Sequence, residues 1–182
     1  MSGAGDAGTD LEALAARVGE RLLARGSMLA TAESCTGGLA ASVVTAVPGS
    51  SRWFERGFVT YSNEAKCDML GVGAETLAAH GAVSEAAVAE MARGALAHSR
   101  AGVSLAISGV AGPGGGSAAK PVGTVCLAWA SRDGTAHARR VHCAGDRAAV
   151  RRQAVALALT GVLELLEQPA GEPGRAHDPG TR

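Results

Sequence analysis

A hydroxyl and a thiol stand side by side in the stretch Thr31-Ala32-Glu33-Ser34-Cys35-Thr36-Gly37-Gly38. Met28-Leu29-Ala30 ahead of them read as a buried strand, and Leu39, Ala40, Val43, Val44 and Val47 recur behind them at helical spacing. Ser34, Cys35, Thr36 and Gly37 therefore fall where a strand turns into a helix. The first amides of a helix have no partner within it and sit at the positive end of its dipole. That arrangement binds anions or holds an oxyanion. Ser and Thr are also favoured helix caps, so geometry alone leaves both chemistry and capping open.

Of the 17 basic residues, only Lys66 and Lys120 are lysines. Arginine keeps its proton at any working pH, whereas a desolvated lysine can lose one. Lys66 falls in the first turn of a short helix, Glu64 to Leu70, capped by Ser62 or Asn63 and closed by Gly71. A cation there faces the positive dipole end, which suits an amine acting as a base; a solvated surface lysine is the alternative. Cys35 competes with Ser34 as nucleophile, because a thiol at a helix start has a lowered pKa. No histidine is placed to assist it, so Cys35 is expected to be a small buried neighbour.

Two further features suit an anionic ligand. Ser108-Gly109-Val110-Ala111-Gly112-Pro113-Gly114-Gly115-Gly116-Ser117 is a glycine-rich loop whose backbone can approach a ligand closely. It carries neither a G-K-[ST] ending nor a dinucleotide fingerprint, and a simple mobile loop is the other reading. Arg147, Arg151 and Arg152 crowd the start of the last helix, either paired with carboxylates or awaiting an anion.

The elements that must position these groups follow from the apolar pattern. Leu11, Leu14, Ala15, Val18 and Leu22 mark a helix. Phe58 to Tyr61 reads as a strand. Ser84 caps a helix whose buried stripe is Val88, Met91, Ala92, Ala95 and Leu96. Val103 to Ile107 and Pro121 to Ala130 are apolar strands, and Arg132-Asp133-Gly134-Thr135 turns the second into a partner strand ending near Cys143. Asp146 caps the last helix. The order α-β-α-β-α-α-β-β-β-α packs as an α/β protein, a three-layer α/β/α sandwich with a mixed sheet of about five strands. Residues 1–9 and 169–182 read as disordered tails around one domain, 10–168.

The formal net charge is zero, so nothing in the charge balance calls for nucleic acid or an acidic membrane. No run reaches transmembrane length and no basic-then-apolar leader is present, so the chain is expected to be soluble and cytoplasmic. Four scattered cysteines without a C-x-x-C pair read as reduced thiols. Five histidines show no ligand spacing, and neither metal nor cofactor is expected. The expected partners are a small-molecule substrate and a second copy of the chain, in a homodimer.

Several motifs in order carry a resemblance. Thr31 to Gly38, Gly49-Ser50-Ser51-Arg52-Trp53-Phe54, Gly57 to Lys66, Gly81-Ala82-Val83-Ser84-Glu85, Ile107 to Pro113, Lys120-Pro121-Val122-Gly123-Thr124-Val125 and Gly145-Asp146-Arg147 resemble the CinA C-terminal domain family. The resemblance runs from about Leu11 to Leu166. It implies the same three-layer fold. It also implies hydrolysis of the carboxamide of nicotinamide mononucleotide (NMN) to nicotinic acid mononucleotide and ammonia, in pyridine-nucleotide salvage. The Ser/Tyr/Lys group it implies maps onto Ser34, Tyr61 (the sole tyrosine) and Lys66. Lys66 would take the Ser34 proton directly or through Tyr61, with amides from Ser34 to Gly37 as oxyanion donors. Cys35, Thr36, Gly37, Gly109, Gly112, Gly115, Lys120 and Arg147 are the expected substrate contacts, the last two beside the 5′-phosphate. A third consecutive glycine near Gly114 departs from the family pattern. A Tyr-x-x-x-Lys dehydrogenase is excluded by spacing, since Tyr61 and Lys66 are five apart. A non-catalytic phosphate-binding module and an interaction protein linked to competence or DNA damage are the alternatives.

Overall fold

All five residues of β1 (Leu29–Glu33) are buried, and the strand lies inside a five-stranded sheet of order β2-β1-β3-β4-β5. The computed structural model describes residues 10–167; the two expected tails lie outside the described residues. β1 pairs in parallel with β2 (Phe54–Val59) on one side and β3 (Val103–Gly109) on the other. β4 (Thr124–Ser131) and β5 (Ala136–His142) add an antiparallel hairpin. The three-layer α/β sandwich with a mixed sheet expected from the sequence is the observed architecture.

Period-two alternation divides the sheet into two unlike faces. Leu29, Val103, Leu105, Ile107, Val125, Leu127 and Trp129 point to α1 (Leu11–Ala24), α2 (Leu39–Ala46) and α6 (Arg147–Glu167). Ala30, Ala32, Ala106, Cys126, Ala128 and Ala130 face the other way, onto α5 (Glu85–Ala97). Small side chains on that second face let α5 come close enough for Ser104 Oγ to donate to Ala92 O at 2.7 Å. The two tryptophans wedge against helix glycines: a Cβ at Gly19 would collide with Trp53, and one at Gly161 with Trp129.

Three boundaries differ from the sequence pattern. β2 begins at Phe54 and ends at Val59, so Tyr61 lies beyond the strand rather than in it. Only Phe58 of β2 is buried, as befits an edge strand, and its polar first half hid it. β4 begins at Thr124, after a turn in which Thr124 N donates to Pro121 O and Gly123 takes φ 93°. A helix absent from the sequence pattern, α4 (Ala74–His80), follows α3 (Asn63–Leu70). No α4 residue is buried, so no apolar stripe announces it. Its start is tied down by Glu90 of α5, which accepts from Gly73 N at 2.8 Å and Thr76 Oγ1 at 2.6 Å.

Candidate active site

Parallel strands β1, β2 and β3 all deliver their carboxyl ends to one edge of the sheet, where an α/β sheet ordinarily opens its binding crevice. There a cavity of about 300 Å³ is lined by Ser34 and Cys35 after β1, Tyr61, Asn63 and Lys66 after β2, and Ser108 to Gly112 at and beyond the end of β3. Ala82, Val83, Gly114, Gly115 and Arg147 complete the wall, which contains no carboxylate.

Lys66 is 1% exposed although it is a lysine. Ser62 caps α3 by accepting from Ala65 N at 3.0 Å, and the turn this fixes folds the Lys66 side chain inward. Its Nζ lies 3.1 Å from Ser34 Oγ, 2.9 Å from Thr60 O and 3.3 Å from Ser62 O. Burial holds its pKa below the ordinary lysine value, against weaker opposing pulls from Cys35, Cys67 and Glu64. A neutral amine has two N–H bonds and one lone pair. Two carbonyls and one hydroxyl can take the three N–H bonds of an ammonium, or the two of a neutral amine with its lone pair turned to the Ser34 hydroxyl.

Ser34 itself is fixed through its backbone, N donating to Ile107 O at 2.9 Å. Cys35 beside it is buried, which pushes its thiol up to about 11. The lowered pKa that a helix start gives a thiol is not realised, because burial dominates. The chain turns at Gly37 (φ 56°) and Gly38 (φ 90°) before α2 begins. The first amides of α2 itself are already occupied: Ala40 N and Ala41 N donate to the Glu33 carboxylate at 2.9 Å each. Of the donors expected from Ser34 to Gly37, Ser34 N is taken by Ile107 O and Gly37 N by Ser34 O, while the Cys35 N–H faces its own thiol.

Tyr61 is 60% exposed at the mouth of the cavity. Its hydroxyl accepts from Arg147 Nη2 at 3.0 Å, and Arg147 Nη1 donates to Gly112 O at 2.9 Å. Arg147 thus bridges the segment after β2 to the glycine loop, and among the described residues both oxygens it donates to are neutral. Gly112 needs its missing side chain, since φ is 82° and a Cβ would lie 2.6 Å from Val122 Cγ1.

The expected site residues divide. Ser34, Cys35, Tyr61, Lys66, Gly109, Gly112, Gly115 and Arg147 come together around the cavity. Thr36, Gly37 and Lys120 do not line it: Thr36 is fully buried with its carbonyl taken by Arg151, and Lys120 Nζ donates to His80 O at 2.6 Å. Asn63 and Ser108 line the cavity without having been singled out. Asn63 was read only as a cap, and Ser108 only as the first residue of the loop; its hydroxyl donates to Ala82 O at 2.8 Å. Among the described residues no three His, Cys, Asp or Glu side chains gather to hold a metal ion.

A buried lysine lies against a serine hydroxyl at the carboxyl edge of a mixed sheet, an arrangement able to support nucleophilic chemistry on an α/β scaffold. The CinA C-terminal domain model matches residues 11–166, and the chain belongs to that family. It is 60% identical over 151 residues to "Nicotinamide-nucleotide amidohydrolase PncC" of Escherichia coli K12, covering 83% of this chain and 92% of that one. The protein of the same name from Pseudomonas putida is 54% identical, covering 84% and 94%. The crystal structure of competence/damage inducible protein CihA from Agrobacterium tumefaciens superposes with a TM-score of 0.83 at 49% identity, covering 87% of this chain and 96% of that one.

Proposed function

We propose that this protein hydrolyses the carboxamide of nicotinamide mononucleotide to nicotinic acid mononucleotide and ammonia, with Ser34 as nucleophile and Lys66 as its base. The observation that carries this reading is the 3.1 Å approach of a buried lysine amine to Ser34 Oγ, with two carbonyls oriented to take the remaining N–H bonds. The names of relatives at 54% and 60% identity supply the substrate.

Neutral Lys66 takes the Ser34 proton as Oγ attacks the amide carbon. The cationic pyridinium ring withdraws electron density from that carbon. The Cys35 and Thr36 amides of the turn donate to the oxyanion. The C–N bond then breaks, and the Lys66 ammonium returns its proton to the leaving nitrogen, releasing ammonia. Water attacks the acyl-serine, Lys66 accepts its proton, and the C–Oγ bond breaks as Oγ is reprotonated. Arg147 meets the 5′-phosphate in a cavity that contains no opposing carboxylate. Tyr61 orients Arg147, or gives the leaving group a second proton donor. The reaction belongs to pyridine-nucleotide salvage, and four free thiols fit the reducing cytoplasm.

Ammonia release from NMN by the purified protein tests the reading. Turnover that is unchanged by a chelator and lost in both Ser34→Ala and Lys66→Ala is the expected result. Wild-type protein that binds NMN without releasing ammonia overturns it in favour of a binding module.

A further inference from the structure

Glu33 is a fully buried carboxylate next to the nucleophile, and the mechanism above gives it no role. It makes no ion pair with any described residue. Its charge is met by α2: Oε2 accepts from Ala40 N and Oε1 from Ala41 N, both at 2.9 Å, with Thr31 Oγ1 a longer third contact at 3.4 Å. A buried carboxylate is a costly way to cap a helix, and Ser, Thr or Asp at the N-cap normally does it locally. Here the N-cap is Gly38 in the left-handed region, with no side chain to offer.

The geometry points to Glu33 as a positioning residue for Ser34. Its own backbone is locked between β2 and β3, paired with Val59 and Ile107. Its side chain reaches seven and eight residues forward and pins the start of α2. The intervening turn, Ser34 to Gly38, is therefore held at both ends. The two glycines at positive φ make that turn otherwise soft. Fixing its ends fixes Ser34 Oγ against Lys66 Nζ and aims the Cys35 and Thr36 amides. A displacement of about 1 Å at such a site costs on the order of 10²-fold in rate. The carboxylate also adds to the burial that keeps the Cys35 thiol protonated, so the turn presents a single nucleophile.

This inference rests on the Ser34 reading above, and the test separates the two. Glu33→Gln keeps the length but loses the charge and one of the two acceptors; Glu33→Asp keeps the charge but loses the reach. Each is compared with wild type by kcat and KM on NMN, by amide exchange at Ala40 and Ala41, and by Ser34 labelling with a fluorophosphonate probe. The expected result is a kcat loss of about 30-fold or more with KM within about threefold, faster exchange at both amides, and a matching loss of labelling rate. If Glu33→Gln does not fold, Glu33→Asp is read by the same criteria. A folded variant with faster exchange but wild-type kcat and labelling overturns the proposal, leaving Glu33 a cap alone. Wild type that labels at Ser34 but releases no ammonia from NMN sinks the substrate and leaves the positioning role standing on the labelling rates. Wild type that does neither overturns both.

Discussion

Lys66 Nζ stands 3.1 Å from Ser34 Oγ although thirty-two residues separate them in sequence. β1 and β2 are direct parallel neighbours, so the residues just past their carboxyl ends meet. The Ser34–Lys66 contact is thus a product of strand order, and its proton balance should be readable in solution.

The acidic limb of kcat/KM for NMN should report Lys66 losing its proton. Burial lowers that pKa in the folded protein, so the limb should lie below the ordinary lysine value of 10.5. Lys66→Arg, which cannot lose its proton, should fall by at least about 10³-fold at every pH. A limb at or above 10.5 would remove Lys66 as the base.

Stability should carry the same signature. A lysine whose folded pKa is depressed binds fewer protons folded than unfolded between the two values. Wild-type stability therefore gains a component as pH rises from the folded pKa toward 10.5, and below the folded pKa the full penalty applies. Lys66→Met lacks that component. The difference in stability, Lys66→Met minus wild type, should fall steadily as pH rises through this window in denaturant titrations. A pH-independent difference would contradict the burial seen here.

Arg147→Ala should raise KM for NMN by about 10- to 100-fold, the effect of losing a charge-assisted contact to phosphate. Nicotinamide riboside, which lacks the phosphate, should be turned over equally poorly by both proteins. An equal loss on the riboside would mean that Arg147 serves only to hold Tyr61 and the loop.

Cys35→Ala should keep activity within about threefold, since the thiol is held protonated with a pKa of about 11. Iodoacetamide at pH 8 should leave Cys35 of the wild type unmodified, as followed by mass spectrometry. Rapid alkylation there, with loss of turnover, would restore the thiol as a nucleophile.

The sequence was informative where a local pattern and a tertiary role coincide. Ser34 sits at a strand-to-helix switch that two glycines advertise, and Lys66 is one of two lysines, in a first turn. Glu33 could not be read, because its partners are amides seven and eight residues on, and amides carry no sequence signal. α4 was hidden for a similar reason: its anchor, Glu90, belongs to the next helix. Lys120 looked like a phosphate ligand by type, yet its ammonium holds the end of α4 through His80 O. Rarity of a residue type pointed to the cavity wall for one lysine and not for the other.

The antiparallel hairpin puts its tip as far from the chemistry as the sheet allows. In β4, Val125 lies opposite Gly109 at the cavity edge, and the strand runs to Ser131, opposite Val103 at the far edge. Asp133 closes the turn by accepting from Thr135 N at 2.8 Å, and Gly134 has open space around it. Arg132 rivets the base of the turn to the carbonyls of Leu96, Ser99 and Ala101. A linker grafted between Asp133 and Gly134 would tether the protein to a bead or electrode with its mouth facing the bulk solution, giving an immobilised catalyst or sensor.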